Sequence, residues 1–336
     1  MLFQDSSRTL IIAEVGNNHE GDFSVAEELV DKAAEAGADA VKFQTFLPEL
    51  FTSRADPARF QRLKQFQLSF DQFAALAARA KARGLKFIST PLDLESAEFL
   101  AGIVDAMKIA SGDNTFWPLI RAAARSGRPM IISTGISGRS EIQHAVDTVE
   151  ATWAETGKPA ELALLHCIVS YPAPPEQANL SAIQSLHQAF PRYTVGYSDH
   201  TIGIDAAVAA VAMGARVVEK HFTLANDYSD FRDHQLSAAP AAMAEMVRRI
   251  REIEAMLGSG ELGTMACEGD LVTPVRRSIA AARDLAPGHV VEMSDIIWTR
   301  PGGGIAPGDE ESVLARRLTR GVGAGEMILP EFLEQA

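Results

Sequence analysis

The chain has 336 residues, 47% apolar, 22% charged and 7% aromatic, with a formal net charge of −13, which is a globular composition with room for one large domain or one large and one small. The acidic balance excludes a general nucleic-acid binder, which needs clustered Lys and Arg against phosphates, and a cysteine content of only Cys167 and Cys267 excludes a disulfide framework or a cysteine-based zinc site. No apolar run reaches the roughly 18 residues of a membrane span, and the Met1–Thr9 start is polar through Gln4, Asp5 and Arg8, so no membrane partner and no signal peptide are expected and the reading is cytoplasmic.

Short apolar runs then recur with a regular beat: Leu10–Gly16, Ala40–Gln44, Lys86–Thr90, Ala106–Ala110, Met130–Thr134, Leu162–Cys167, Thr194–Tyr197 and Arg216–His221. Apolar character on both faces predicts strands of a parallel sheet covered by helices. Apolar residues at helical spacing fill Ser24–Ala36, Ser69–Arg83, Leu94–Leu100 and Ala206–Met213, and Gly37, Gly84, Gly127 and Gly214 fall where left-handed caps are wanted. Eight such units in roughly 250 residues predict an α/β fold, a (β/α)8 TIM barrel. A doubly wound dinucleotide-binding sheet would need a GxGxxG turn directly after its first strand, and none stands there. The amphipathic helix Met243–Leu257 completes the pattern. After the glycines 258, 260 and 263, short strand-like pieces at Ser278–Ala282, Val290–Val291 and Ile296–Trp298 alternate with Pro-Gly turns. The expected division is a barrel over 1–258, a linker over 259–270 and a small β-rich domain over 271–336.

Barrel chemistry sits at the carboxyl ends of the strands. All eight ends are polar here: Glu14 with Asn17, Asn18 and His19; Lys42 and Gln44; Ser89-Thr90; Lys108 and Ser111; Ser133-Thr134; His166 with Ser170-Tyr171; Ser198-Asp199-His200; and Glu219-Lys220-His221. Burying so many ionisable groups without a ligand is costly. Lys108 with Thr90, Ser111, Ser133 and Ser198 has the composition of a phosphate cradle. His200 and His221 end adjacent strands near Glu14 and Glu219, a set that could hold a divalent ion or supply a general base. His144, His187 and His289 are assigned to solvent. No Lys or Arg cluster for a second phosphate is visible, which favours a non-phosphorylated second substrate.

The segment AEVGNNHEGD (Ala13–Asp22) resembles the first-strand motif of the sialic acid (N-acetylneuraminate) synthase family. The resemblance continues through AVKFQT (Ala40–Thr45), STP (Ser89–Pro91), KIASGD (Lys108–Asp113), STG (Ser133–Gly135), GYSDHT (Gly196–Thr201), EKHFT (Glu219–Thr223) and DHQLS (Asp233–Ser237). RRS (Arg276–Ser278) and RPGGGI (Arg300–Ile305) resemble that family's antifreeze-like, or SAF, domain. The resemblance implies an enzyme condensing phosphoenolpyruvate with an N-acetylmannosamine-type 2-acetamido hexose aldehyde to a nonulosonic acid and phosphate. It implies phosphoenolpyruvate contacts at Lys42, Thr90, Lys108, Ser111, Ser133 and Ser198, a reacting centre at Gln44 and Glu14, and sugar contacts at Tyr171 and Asp233. It further implies a divalent metal, Mn2+ by preference with Mg2+ or Co2+ as alternatives, on His200 and His221. Arg300 would reach the partner subunit's site in a domain-swapped homodimer. Where the family has Asn-Tyr-Pro, this chain has Ser170-Tyr171-Pro172, a shorter side chain without the amide donor.

Glu14 and Glu219 are the candidates to guide water, with Glu14 ahead; Glu219 could instead orient His221 or Lys220. Three other readings stand beside this one. One is a Schiff-base aldolase using Lys42, Lys108 or Lys220. Another is a carbohydrate-binding protein, against which the ionisable load at the strand ends counts. The third is a relative making legionaminic or pseudaminic acid or a spore-coat polysaccharide precursor.

Overall fold

The computed structural model describes residues 2–3 and 8–335; Met1, Gln4, Asp5 and the other residues of 4–7, and Ala336 lie outside it. Two compact units divide at Gly258, residues 1–258 and 259–336.

In the first unit, β1 (Leu10–Gly16), β2 (Ala40–Thr45), β3 (Lys86–Pro91), β4 (Ala106–Ile109), β5 (Met130–Ser133), β6 (Leu162–Cys167), β7 (Thr194–Asp199) and β8 (Val217–His221) close in sequence order into a parallel barrel. β8 pairs back onto β1, with Glu14 opposite His221. The strands alternate between two apolar layers. Ile12, Ala40, Ile88, Ala106, Ile131, Ala163, Leu165 and Val217 fill the barrel interior, while Ile11, Val41, Phe87, Met107, Ile132, Leu164, Val195 and Val218 face the helices. Gly196 falls on the interior side of β7, where a Cβ would sit 2.2 Å from the Val217 carbonyl oxygen. The helices start where side chains satisfy the first free N–H groups: Asp22 caps Phe23–Glu35, Ser69 with Gln72 forms a capping box for Phe70–Ala82, and Asp93 caps Leu94–Leu100. Gly37, Gly84, Gly127 and Gly214 all adopt positive φ just past helix ends, as their positions predict.

Between β2 and β3 the chain inserts two further helices, Pro48–Phe51 and Pro57–Phe66. They pack Phe46, Leu63, Phe66 and Leu92 into a satellite cluster beside the barrel mouth. No helix among the described residues is long and apolar enough to cross a membrane.

The second unit has its own core around Ile279, Leu285, Val291, Ile296, Val313, Val322 and Ile328. It contains one antiparallel pair, β9 (Ser278–Ala281) with β10 (Ile296–Thr299). Val290–Val291 is not a strand: Val290 makes only an isolated bridge to Arg317. Two residues cannot propagate a ladder, and the turn beginning at Pro287 uses up the extended chain. Within 259–275, Ala266–Leu271 forms a 3₁₀ helix and Val272–Val275 a single helical turn.

Candidate active site

The period of two along each strand sorts the polar strand ends into two sets. Glu14, Lys42, Gln44, Thr90, Lys108, Ser133, Cys167, Ser198, His200, Glu219 and His221 line a cavity of about 320 Å³ at the carboxyl ends of the strands, with Ser111 and Tyr171 from the following loops. Ser89, His166, Asp199 and Lys220 project the other way and are satisfied structurally. Ser89 bonds Thr45, His166 bonds the Ala178 carbonyl, and Lys220 pairs with Asp199 at 3.0 Å and is fully buried. A polar strand end is therefore ligand-facing in only one of these sets, and Lys220 has no access to a substrate.

At the cavity floor two lysines and two carboxylates interlock. Lys42 Nζ lies 2.7 Å from Glu14 Oε2 and 3.6 Å from Glu219, and Lys108 Nζ lies 3.4 Å from Glu219 Oε2. Both lysines are only 3% exposed. Glu219 also accepts from Ser198 Oγ at 2.9 Å, so its partners are lysines and a hydroxyl rather than His221 or Lys220. Burial would raise the Glu219 carboxyl, but the charges of Lys108 and Lys42 outweigh it and hold the group ionised well below the usual range. Burial raises Glu14, against a partial offset from Lys42. Burial works to lower both lysines: it prevails at Lys108, whereas Glu14 and Glu219 overcome it at Lys42 and raise that group. Two carboxyls and two amines are thus pushed apart in proton affinity, as acid–base sites require.

Around this floor stand unsatisfied or loosely held donors. Ser133 Oγ is buried without a hydrogen-bond partner. Lys42 lies 3.3 Å from Thr90 Oγ1, and Ser111 Oγ accepts from Gly135 N at 3.1 Å. A Cβ on Gly135 would sit 2.7 Å from Ser111 Oγ, so glycine is needed for that approach. Gln44 donates to Glu14 at 3.4 Å and accepts from Asn17 Nδ2 at 2.9 Å.

The histidines carry the donor chemistry of an open metal position. Burial holds both His200 and His221 below the ordinary imidazole value and therefore neutral. His200 Nδ1 lies 2.7 Å from the Ile168 carbonyl, which fixes the proton there and leaves Nε2 as a lone pair. His221 Nδ1 is buried with no partner. The ring centroids are 5.3 Å apart, and the Tyr171 ring packs on His200 at 4.1 Å, tilted by 33°. Among the described residues no three His, Cys, Asp or Glu side chains gather as a metal cage. The pair fits an ion with open coordination positions and does not form a closed structural site.

Outward from His221, Tyr171 and Gln44 the site opens into a second cavity of about 890 Å³, lined also by Asn17, Glu20, Phe51, Arg59, Arg62, Phe66, Phe231, Arg232 and Asp233. Burial raises the Asp233 carboxyl, with Arg232 opposing from 3.3 Å. Arg232 also lies over the Tyr171 ring, 4.8 Å from its centroid. The arginines here overturn the premise of the sequence argument for a non-phosphorylated substrate: Arg59 and Arg62 from one inserted helix and Arg232 from the loop after β8 border one cavity. Arg59, Arg62 and the aromatic wall Phe51–Phe66 went unread because they sit on the inserted helices, although Asp56-Pro57 is a helix-start signature. His234 was also missed.

Other candidates lie elsewhere. Ser170 Oγ donates to the Pro172 carbonyl at 2.9 Å and borders neither cavity. Arg300 is exposed at the end of β10 in the second unit. His144 is exposed and packs on Trp117, but His187 bonds the Gly214 carbonyl and His289 pairs with Asp295 at 2.6 Å. Those two are not solvent histidines, since helix-end and turn carbonyls or carboxylates within reach claim their ring nitrogens.

Barrel and site together define an α/β-barrel protein with a charged, two-chamber site at the carboxyl ends of its strands. The NeuB family model matches residues 29–262, and the SAF domain model residues 276–334. The chain belongs to the NeuB family and carries a SAF domain. It is 45% identical to an uncharacterized protein of Methanocaldococcus jannaschii, covering 92% of this chain and 90% of that one. It is 39% identical to the N,N'-diacetyllegionaminic acid synthase of Legionella pneumophila, covering 98% and 96%. Among solved structures, the N-acetylneuraminic acid (sialic acid) synthetase of Leptospira borgpetersenii superposes with a TM-score of 0.74 at 35% identity, over 80% of this chain and 91% of that one.

Proposed function

We propose that the chain is a nonulosonic acid synthase that condenses phosphoenolpyruvate with the open-chain aldehyde of a 2-acetamido hexose of the N-acetylmannosamine type, releasing phosphate. The observation that carries this reading is the floor of the inner cavity: two buried lysines beside a partnerless Ser133 hydroxyl, opening outward to a chamber bordered by Tyr171 and Asp233. Lys42 and Lys108, with Thr90, Ser111, Ser133 and Ser198, hold the phosphate and carboxylate of phosphoenolpyruvate, exchanging internal ion pairs for substrate ones. The outer chamber holds the sugar, with Asp233 accepting from its hydroxyls and Tyr171 giving it an apolar face. A divalent ion on His200 and His221, Mn2+ by the family resemblance with Mg2+ or Co2+ as alternatives, would polarise the aldehyde oxygen. Atoms and protons balance: C3 of phosphoenolpyruvate bonds to the aldehyde carbon, water adds its oxygen to C2, the C2–O bond to phosphate breaks, and the two protons of that water end on the former aldehyde oxygen and on the departing phosphate. Glu14, whose proton affinity burial raises, takes the proton from that water; Gln44 holds Glu14 in place, and Glu219 stays ionised to balance the two lysines.

The active species is a homodimer in which each SAF unit caps the partner's barrel and brings Arg300 to the sugar. Support comes from exposed apolar residues in the segments after β2 to β8, namely Leu50, Leu94, Phe116, Ile136, Val169, Ile202 and Tyr228, on a face that a soluble monomer would keep polar.

A second reading of the sugar has a specific support. The 39% identity to a protein named N,N'-diacetyllegionaminic acid synthase supports a diacetamido sugar as the alternative to N-acetylmannosamine. One assay separates these: phosphate release from phosphoenolpyruvate with Mn2+ and N-acetylmannosamine, its 6-phosphate or a 2,4-diacetamido hexose. Release dependent on one of the sugars is expected. A covalent adduct trapped by borohydride with pyruvate, and no sugar-dependent phosphate, would instead mark a Schiff-base aldolase on Lys42 or Lys108.

A further inference from the structure

The DHQLS segment contains a histidine that the mechanism above does not use. His234 is fully buried on the short helix Asp233–Leu236, and both its ring nitrogens are engaged. Nε2 lies 2.9 Å from Glu20 Oε1 in the loop after β1, and Nδ1 lies 2.6 Å from Thr223 Oγ1 just after β8. A carboxylate only accepts, so Nε2 carries the proton, and the one Thr223 hydroxyl proton has two acceptors in reach, His234 Nδ1 and the Ala225 carbonyl at 3.0 Å. Ser229 donates to the same Glu20 oxygen. Carboxylate, imidazole and hydroxyl stand in the order of a hydrolase triad. Thr223 is 0% exposed, however, and borders neither cavity, so its hydroxyl cannot reach a substrate. The triad therefore does something other than nucleophilic catalysis.

What it does is set by what it ties together. The segment from Thr223 to Ser237 carries Ser229, Phe231, Arg232 and Asp233 into the outer chamber. The same segment is stitched at its base: Asn226 Nδ2 donates to the His234 and Ser237 carbonyls at 2.8 and 2.7 Å, and Ser237 Oγ donates to the Asp233 carbonyl at 2.6 Å. Asn18, also in the loop after β1, donates to Ser237 Oγ at 3.0 Å. Phe231 and Tyr228 close over the His234 ring, with centroids 5.9 and 5.1 Å away. The loops after the first and last barrel strands thus meet at the His234 imidazole, with the Ser229–Glu20 and Asn18–Ser237 bonds beside it, next to the residue assigned to the sugar.

The geometry points to Glu20, His234 and Thr223 as positioning residues that hold the loop after β8 in register, so that Asp233 and Arg232 meet the sugar. This rests on the synthase reading for what the loop contacts, whereas the clamp itself rests on the hydrogen bonds alone. A loop displaced by even an ångström loses productive orientation of its substrate. Only the sugar end is affected, since the phosphoenolpyruvate groups stand on other strands and on the turn after β4.

The informative variants are Thr223→Val, which keeps the shape and removes the hydroxyl, and Thr223→Ser, which keeps the hydroxyl. In the full-length chain, Thr223→Val is expected to speed amide hydrogen exchange over 224–237 while leaving the strand peptides protected. It is also expected to raise KM for the sugar about tenfold and change KM for phosphoenolpyruvate less than about twofold. Thr223→Ser restores both. Unchanged exchange in Thr223→Val removes the clamp. Faster exchange with both KM values moved together, or with Val and Ser equally impaired, reduces it to packing and overturns the positioning role. A wild-type chain that releases no phosphate with any sugar overturns the synthase reading and the sugar-side role with it, while the exchange data still decide the clamp.

Discussion

Lys108 is the residue on which the reading of the inner cavity turns. Its amine is buried, held below the ordinary lysine value by that burial, and pairs with the Glu219 carboxylate at the open cavity. Lys108→Met keeps the stem and removes the charge. Losing a buried charged hydrogen bond to substrate is worth about 3 kcal/mol, so kcat/KM for phosphoenolpyruvate should fall roughly a hundredfold. Steady-state kinetics with saturating sugar checks this, and unchanged phosphoenolpyruvate kinetics would make Lys108 a packed stem. His200 and His221 make a separate prediction with a readout independent of turnover. Either one changed to Ala should abolish tight Mn2+ binding measured by calorimetry while the circular dichroism of the barrel is retained.

At this scale the sequence was readable where a motif placed a residue on a strand end. Glu14, Lys42, Lys108, Ser133, Ser198, His200, Glu219 and His221 all border the inner cavity. Facing was the hidden variable. Lys220 and Asp199 looked equivalent to their neighbours until the alternation sent them toward the helices, where they pair with each other. Counting by twos from Ile12 or Val217 would have separated the sets.

At the scale of elements, the eight strands and their glycine caps were legible because βα repetition imposes regular spacing. The helices Pro48–Phe51 and Pro57–Phe66 were not, because they interrupt that beat, and with them went Arg59, Arg62 and the wall of the outer chamber. Gly196 offers a test of the barrel geometry. Gly196→Ala forces a Cβ against the Val217 carbonyl and the Leu165 side chain, at 2.2 and 2.6 Å. Overpacking of this kind costs about 1–3 kcal/mol, which thermal denaturation would register as a lowered Tm.

The second unit gives a pH prediction. Asp295 is buried, which alone would raise its carboxyl, but hydrogen bonds from His289 and the Glu292 N–H and the Arg283 charge outweigh this and hold it below the ordinary value. A carboxyl with a depressed value in the folded state contributes stability above its unfolded value and loses it as pH falls through the folded one. Amide protection over 278–299 should therefore drop on acidification below the usual carboxylate range, and Asp295→Asn should flatten that dependence. A pH-independent difference between wild type and variant would contradict it.

For the whole molecule, the proposal of a trans-completed site makes a qualitative prediction. A His221→Ala chain mixed with an Arg300→Ala chain under exchange conditions should regain activity, since some heterodimers contain one site with both groups intact. If each chain completes its own site, every barrel keeps one defect and the mixture stays inactive.

The central claim is that phosphoenolpyruvate reacts in the inner cavity with water added at carbon rather than at phosphorus. The direct measurement is mass spectrometry of the phosphate released from phosphoenolpyruvate and the active sugar in water enriched in oxygen-18. Attack of water at C2 with cleavage of the C–O bond predicts phosphate free of solvent oxygen, formed in step with the nonulosonic acid. Phosphate carrying one solvent oxygen, or released without the acid, would contradict the account.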